Sequence, residues 1–141
     1  MRIAEILKAK GSAVTTVSPN DAVTDVLRYM TEGNLGALPV VDGDRLAGIV
    51  SERDVVRQLH QQGGSLLNAR VSEVMTADVV TCSSEDSVQD LAKIMTARRV
   101  RHLPVLTDGA LAGIVSIGDL VKARIDMLEQ EREQLESYIA Q

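Results

Sequence analysis

The chain has no phenylalanine and no tryptophan, and Tyr29 and Tyr138 are its only tyrosines. Proteins that read single-stranded nucleic acid stack bases on aromatic or guanidinium planes, and little aromatic surface exists for that here. The formal net charge of −5 also opposes attraction to phosphate backbones and anionic lipid. No nucleic-acid partner is therefore expected. The lone cysteine, Cys82, excludes an intrachain disulfide and a zinc site built on paired thiolates. It lies in an apolar stretch, which points to a buried structural thiol. No apolar run approaches the roughly 20 residues a membrane span requires. The opening Met1-Arg2-Ile3-Ala4-Glu5 has an early acid and no apolar signal core. A cytoplasmic protein with no membrane partner is the expectation. No Ser-His-Asp order, metal constellation or Walker loop is present, and His60 sits in a polar helix end or linker, so catalysis is not expected.

What the chain does have is aliphatic residues and a duplication. Of its 141 residues, 45% are hydrophobic, mostly Val, Leu, Ile and Ala, which suits strands packed on helices. Leu46-Ala47-Gly48-Ile49-Val50-Ser51 recurs 65 residues later as Leu111-Ala112-Gly113-Ile114-Val115-Ser116. Residues 14–57 align with 79–122 without a gap, and 19 of those 44 positions are identical. A repeat of this length marks a duplicated structural unit. The lead-in segments also correspond, Ile3-Ala4-Glu5-Ile6-Leu7 with Val71-Ser72-Glu73-Val74-Met75, but at an offset of 68. The connection from lead-in helix to first strand is thus three residues longer in the first half.

Each unit reads as strand, helix, hairpin, helix. Val14–Val17 and its copy Val79–Cys82 are short β-rich runs. Ser18-Pro19-Asn20-Asp21 has the form of a helix start, with Ser18 capping and Asp21 closing a capping box, and Ser83 and Asp86 repeat it. Val23, Val26, Leu27 and Met30 follow helical spacing up to a stop at Gly33-Asn34. Leu38–Val41, Asp42-Gly43-Asp44 and Leu46–Val50 predict a β-hairpin, and a further helix begins near Ser51. The predicted organisation is residues 3–60 as one repeat, 61–70 as a linker containing Gly63-Gly64-Ser65, 71–124 as the second repeat and 125–141 as a helical extension. The fold class is α+β, with two β-α-β-β-α units packed sheet to sheet around a shared core and a long C-terminal helix.

Leu-Pro-Val, a turn, then Leu-x-Gly-Ile-Val-Ser-x-x-Asp, present twice, resembles the CBS (cystathionine β-synthase) domain, and the pair resembles a Bateman module. The resemblance covers residues 3 to about 124. It implies adenosine-containing ligands bound in clefts between the repeats, with the motif Asp on the ribose hydroxyls and the Ser near ribose or phosphate. The matching positions are Ser51 and Asp54 in one cleft, and Ser116 and Asp119 in the other. A carboxylate accepts well from a vicinal diol, and a strand running into a helix N-terminus favours an anion. Ser-x-x-Asp at a helix start is equally an ordinary capping box, and the two roles can coexist.

The run Arg98-Arg99-Val100-Arg101-His102 precedes the second Leu-Pro-Val, where the first repeat has uncharged Gly33-Asn34-Leu35-Gly36-Ala37. Cations favour helix C-termini, which accounts for Arg98 and Arg99. By resemblance, a basic residue three positions before the proline meets the ligand phosphate, which marks Arg101 with His102 beside it. The resemblance also gives Val14 to the adenine wall, Gly36 and Ala37 to close approach of the ligand, and Gly118 to the space behind Ser116. The expected main cleft is thus Val14, Gly36, Ala37, Arg101, His102, Ser116, Gly118 and Asp119. The second is Ser51, Arg53, Asp54 and Val79, with Arg53 either binding phosphate or pairing with Glu52 or solvent.

Val121, Ile125, Leu128, Leu135 and Ile139 form a heptad-like seam with Arg132 at its middle slot, and this points to a homodimer contact. The expected function is an adenine-nucleotide-binding regulatory or sensor module, with AMP first and ADP, ATP or an NAD-type ligand as alternatives. It would have no catalytic cofactor and would act on an unidentified regulated partner. The alternative is a structural homodimerisation module whose nucleotide clefts are degenerate.

Overall fold

The computed structural model describes residues 1–11 and 13–140. In chain order it contains α1 (Ile3–Lys10), α2 (Val23–Gly33), β1 (Ala37–Asp42), β2 (Arg45–Ser51), α3 (Glu52–Gln62), α4 (Val71–Val74), β3 (Cys82–Ser83), α5 (Val88–Arg98), β4 (His102–Thr107), β5 (Ala110–Ser116) and α6 (Ile117–Ala140). β1 and β2 form one two-stranded sheet, and β3, β4 and β5 form a second, three-stranded one. The architecture is α+β, with the two small sheets meeting where β2 passes β5.

The hairpins follow from their turns. Asp42 pairs with Arg45 and Thr107 with Ala110, so each turn has two central residues. Gly43 has φ +62° in the first, and Asp108 and Gly109 have φ +52° and +81° in the second. Such positive-φ turns match the right-handed twist of the flanking strands. Helix α2 ends as expected, with Asn34 left-handed at φ +52° and its N–H donating to the Met30 carbonyl. Its Val23, Val26 and Met30 are buried.

Three expectations are corrected. Of Val14–Val17, only Val17 bridges a strand, its N–H donating to the Pro39 carbonyl and its own carbonyl accepting from Val41. The copy is the two-residue β3, parallel to β4 at Val105 and Leu106. Ser18-Pro19-Asn20-Asp21 is a turn and not a helix start. Asp21 Oδ2 accepts from the Ser18 N–H at 2.8 Å, and α2 begins at Val23. Ser83 and Asp86 repeat that turn, and α5 begins at Val88 with Ser87 as its cap. The stretch between the two repeats contains a 3-10 helix over Gly63–Asn68 that buries Leu66.

The third correction concerns the core. Where one shared core was expected, the buried aliphatics among the described residues form two clusters, one per sheet. The lead-in helices are exchanged between them. Ile3 and Ile6 of α1 pack with Leu91, Met95, Leu103 and Val115 of the second half. Val71 and Val74 of α4 pack with Val26, Leu38, Val40 and Val50 of the first. Backbone bonds fix both dockings. The Ile3 and Ala4 N–H groups donate to Asp86 and Ser84 carbonyls, and those of Val71 and Ser72 donate to Asp21 and Pro19.

That exchange explains the repeated glycine. A Cβ on Gly48 would sit 2.7 Å from the Thr76 carbonyl oxygen and 2.8 Å from Met75 Sδ, and one on Gly113 2.7 Å from Leu7 Cδ2. The chain thins at these positions so that the other repeat's lead-in segment can lie on the sheet. Cys82 is buried in the second core, and desolvation, helped by Asp86, pushes its thiol up to about 12, which keeps it protonated.

The two glycines differ in what they meet, backbone at Gly48 and the end of a flexible side chain at Gly113. Gly48→Ala should lose about 1–3 kcal/mol in urea denaturation, as overpacked sites do, and Gly113→Ala measurably less. Equal losses would show that the lead-in segments yield equally on the two sheets.

Candidate functional site

Strand β2 ends at Ser51 and turns directly into α3. The Asp54 N–H donates to Ser51 Oγ at 3.3 Å, while Asp54 Oδ2 accepts from the Ser51 N–H at 2.9 Å and from its hydroxyl at 3.0 Å. This reciprocal box caps the helix and locks the carboxylate. Its other oxygen, Oδ1, accepts the Thr76 hydroxyl at 3.2 Å. Thr76 reaches it because α4 docks on the first sheet, where Thr76 and Ile49 exchange backbone bonds of 2.8 and 3.0 Å.

Asp54 opens onto a cavity of about 580 Å³ between the two halves, within the usual range for small-molecule sites. Ile49, Val56, Val79, Val80 and Val100 supply apolar lining. Arg53, Arg57, Arg99, Arg101 and His102 line it as well, against the carboxylates of Glu52, Asp54 and Asp78. Four guanidinium groups thus outnumber three carboxylates in a chain whose overall charge is negative. Among the described residues none of these four has a carboxylate within 4 Å, so Arg53 does not pair with Glu52. Gly36 and Ala37 complete the wall. A Cβ on Gly36 would stand 3.1 Å from His102 Cε1, so the imidazole packs on bare backbone there. Burial holds His102 below the usual histidine range, assisted by Lys10 and Arg101 and partly opposed by Glu52 and Asp119. It is therefore a neutral donor–acceptor at pH 7, poised beside cationic groups.

The structure groups the expected residues differently from the sequence reading. Gly36, Ala37, Arg101 and His102 share the cavity with Ser51, Arg53, Asp54 and Val79, not with Asp119. Val14, Ser116, Gly118 and Asp119 do not line it. The reason is topological: Arg101 precedes β4 of the second repeat and His102 opens it, yet both line the cavity at the strand-to-helix corner of the first. Gly118 is not needed for space behind Ser116 either, since its Cβ would make an ordinary 3.6 Å contact with Ser116 Oγ. Asp119 repeats the capping box, with Oδ2 accepting from the Ser116 N–H at 2.9 Å. The same oxygen takes the Lys10 ammonium at 2.7 Å. Burial pushes the Asp119 carboxyl upward, but Lys10 and Ser116 outweigh it and hold it below the ordinary carboxylate value.

Thr76, Asp78, Arg57 and Arg99 were not singled out from the sequence. Arg57 lies one turn after Arg53 on α3, a spacing that could have flagged it. Arg99, assigned above to a helix end, does cap α5 with φ +55°, and it also lines the cavity. Thr76 had no sequence signal, because its neighbour is 22 residues away in the other repeat.

Comparison with known proteins identifies the family. The CBS domain family model matches twice, over residues 5–61 and 71–126. The chain belongs to the CBS domain family and carries two copies of the domain. It is 36% identical over 146 residues to a mitochondrial CBS domain-containing protein of Arabidopsis thaliana, covering 97% of this chain and 71% of that one. It is 40% identical over 108 residues to inosine-5'-monophosphate dehydrogenase of Korarchaeum cryptofilum, covering 76% of this chain and 21% of that enzyme. A solved protein with CBS domains from Burkholderia ambifaria superposes with a TM-score of 0.85 at 46% identity, covering 89% of this chain and 95% of that one. Among the described residues no helix is long and apolar enough to cross a membrane.

Proposed function

We propose that this CBS pair is a regulatory or sensor module that binds an adenine nucleotide in the Asp54 cavity. One observation carries the reading: a carboxylate locked by its own helix cap faces a surplus of unpaired guanidinium groups across a single apolar-walled cavity. The carboxylate suits the ribose diol, the valines and Ile49 suit the base, and Arg101 with His102 suits the phosphate. AMP is the first candidate, with ADP, ATP or an NAD-type ligand extending toward Arg53 and Arg57. Binding regulates a partner only if the nucleotide favours one conformation of the module over another. In the inosine-5'-monophosphate dehydrogenase relative the matched stretch is a fifth of the enzyme, which fits a module attached to function and not itself the catalyst.

Calorimetry separates the phosphate contact from a solvated charge. A charge-assisted hydrogen bond contributes about 1.5–3 kcal/mol, so Arg101→Ala should weaken AMP roughly ten-fold or more and leave adenosine almost unchanged. Arg98→Ala, at the exposed end of α5, should alter neither, and AMP affinity should fall with added salt. Equal loss of AMP and adenosine in Arg101→Ala would assign that residue to the shape of the cavity.

The second part of the proposal is a homodimer through α6. That helix runs unbroken from Ile117, and its seam is uncovered, with exposure rising from 47% at Leu128 to 80% at Ile139. Arg132 at the middle slot reaches Glu136 of its own helix at 3.6 Å, keeping its charge compensated at the edge of the seam. Deleting residues from 126 onward should lower the mass measured by light scattering toward the monomer. An unchanged dimer would place the contact elsewhere on the module.

A further inference from the structure

We infer that Lys10 is an internal plug of the second cleft, so that each chain takes one nucleotide where its symmetry offers two sites. The inference rests on the nucleotide reading of the Asp54 cavity and adds to it the stoichiometry and the residue that sets it. Asp119 is the repeat counterpart of Asp54, and Ile114 of Ile49. In the open cleft Thr76 serves both counterparts: its N–H donates to the Ile49 carbonyl at 2.8 Å and its hydroxyl to Asp54 at 3.2 Å. In the other cleft a single ammonium takes both roles. Lys10 Nζ donates to the Ile114 carbonyl at 2.8 Å and to Asp119 Oδ2 at 2.7 Å.

The substitution follows from the longer connection in the first half. Helix α4 stops after four residues and lets Thr76 bridge the sheet, whereas α1 continues for eight and places Lys10 in its last turn. The consequence for a ligand is unequal. A neutral hydroxyl on Asp54 can rotate aside when a ribose diol arrives, and it costs little to release. The Lys10 bond is charge-assisted, a kind roughly twice as strong as a neutral one. It is anchored at a second point, and the two side chains are only 38% and 23% exposed. A diol would have to displace a cation from its counter-ion, and it brings no charge to replace it. The repeat counterparts of Arg99, Arg101 and His102 are Asn34, Gly36 and Ala37, so the first half offers the Asp119 cleft no charged groups at those positions.

Calorimetric stoichiometry with AMP tests this. The wild-type chain should bind one AMP, and Asp54→Ala should abolish it. Lys10→Ala should reveal a second, weaker site, by ten-fold or more, that survives in Lys10→Ala/Asp54→Ala and disappears in Lys10→Ala/Asp119→Ala. Lys10→Met, which keeps the side-chain stem and removes the charge, should reveal the same site and serves if the alanine variant melts early. One site in every Lys10 variant, or two in the wild type, overturns the plug while leaving the nucleotide reading intact. No AMP binding to the wild type overturns the nucleotide reading itself.

Discussion

Ile3 and Ile6 leave solvent by packing on the second repeat, and Val71 and Val74 by packing on the first. This crosswise docking of the lead-in helices is the contact on which the remaining geometry depends. Each sheet's core is completed by the other half's lead-in helix. The glycine of each Leu-Ala-Gly-Ile-Val-Ser motif exists for the same reason, since the crossing segment lies where a side chain would be. The motif therefore has a packing origin before it has a binding one.

The exchange also sets the chemistry of the two clefts. The end of each lead-in segment delivers a donor to the carboxylate of the opposite repeat. After α4 that donor is Thr76, a small neutral group that leaves Asp54 facing an open cavity. At the end of α1 it is Lys10, whose ammonium compensates Asp119. The capping boxes at Ser51/Asp54 and Ser116/Asp119 are nearly identical in geometry. What differs is the group supplied from across the interface, and the Arg101–His102 pair that has no charged counterpart in the first repeat. Two copies of one unit thereby acquire different electrostatics without any change in fold.

Much of this was legible in the sequence, for physical reasons that can be named. The hairpins were, because two-residue turns of Gly and Asp between β-rich runs have few other conformations. So was α2, whose Val23, Val26 and Met30 keep helical spacing and end at Asn34. The helix starts were misread because a Ser-x-x-Asp turn and a Ser-x-x-Asp cap use the same side-chain-to-backbone bonds. Ser18/Asp21 is the first and Ser51/Asp54 the second. The residues of the cavity were recognisable one by one, but their grouping was not. Periodicity reports which face of an element is buried, not which repeat it faces. The Lys10–Asp119 pair, 109 residues apart, leaves no local trace at all.

The central claim is that the cavity joining Asp54 to Arg101 and His102 is a nucleotide site. A crystal structure of the protein grown with AMP tests it most directly. The account predicts ligand density in that cavity, with the ribose hydroxyls on Asp54, the phosphate beside Arg101 and His102, and Lys10 still on Asp119. Density at Asp119 with Lys10 displaced, and an empty Asp54 cavity, would contradict it.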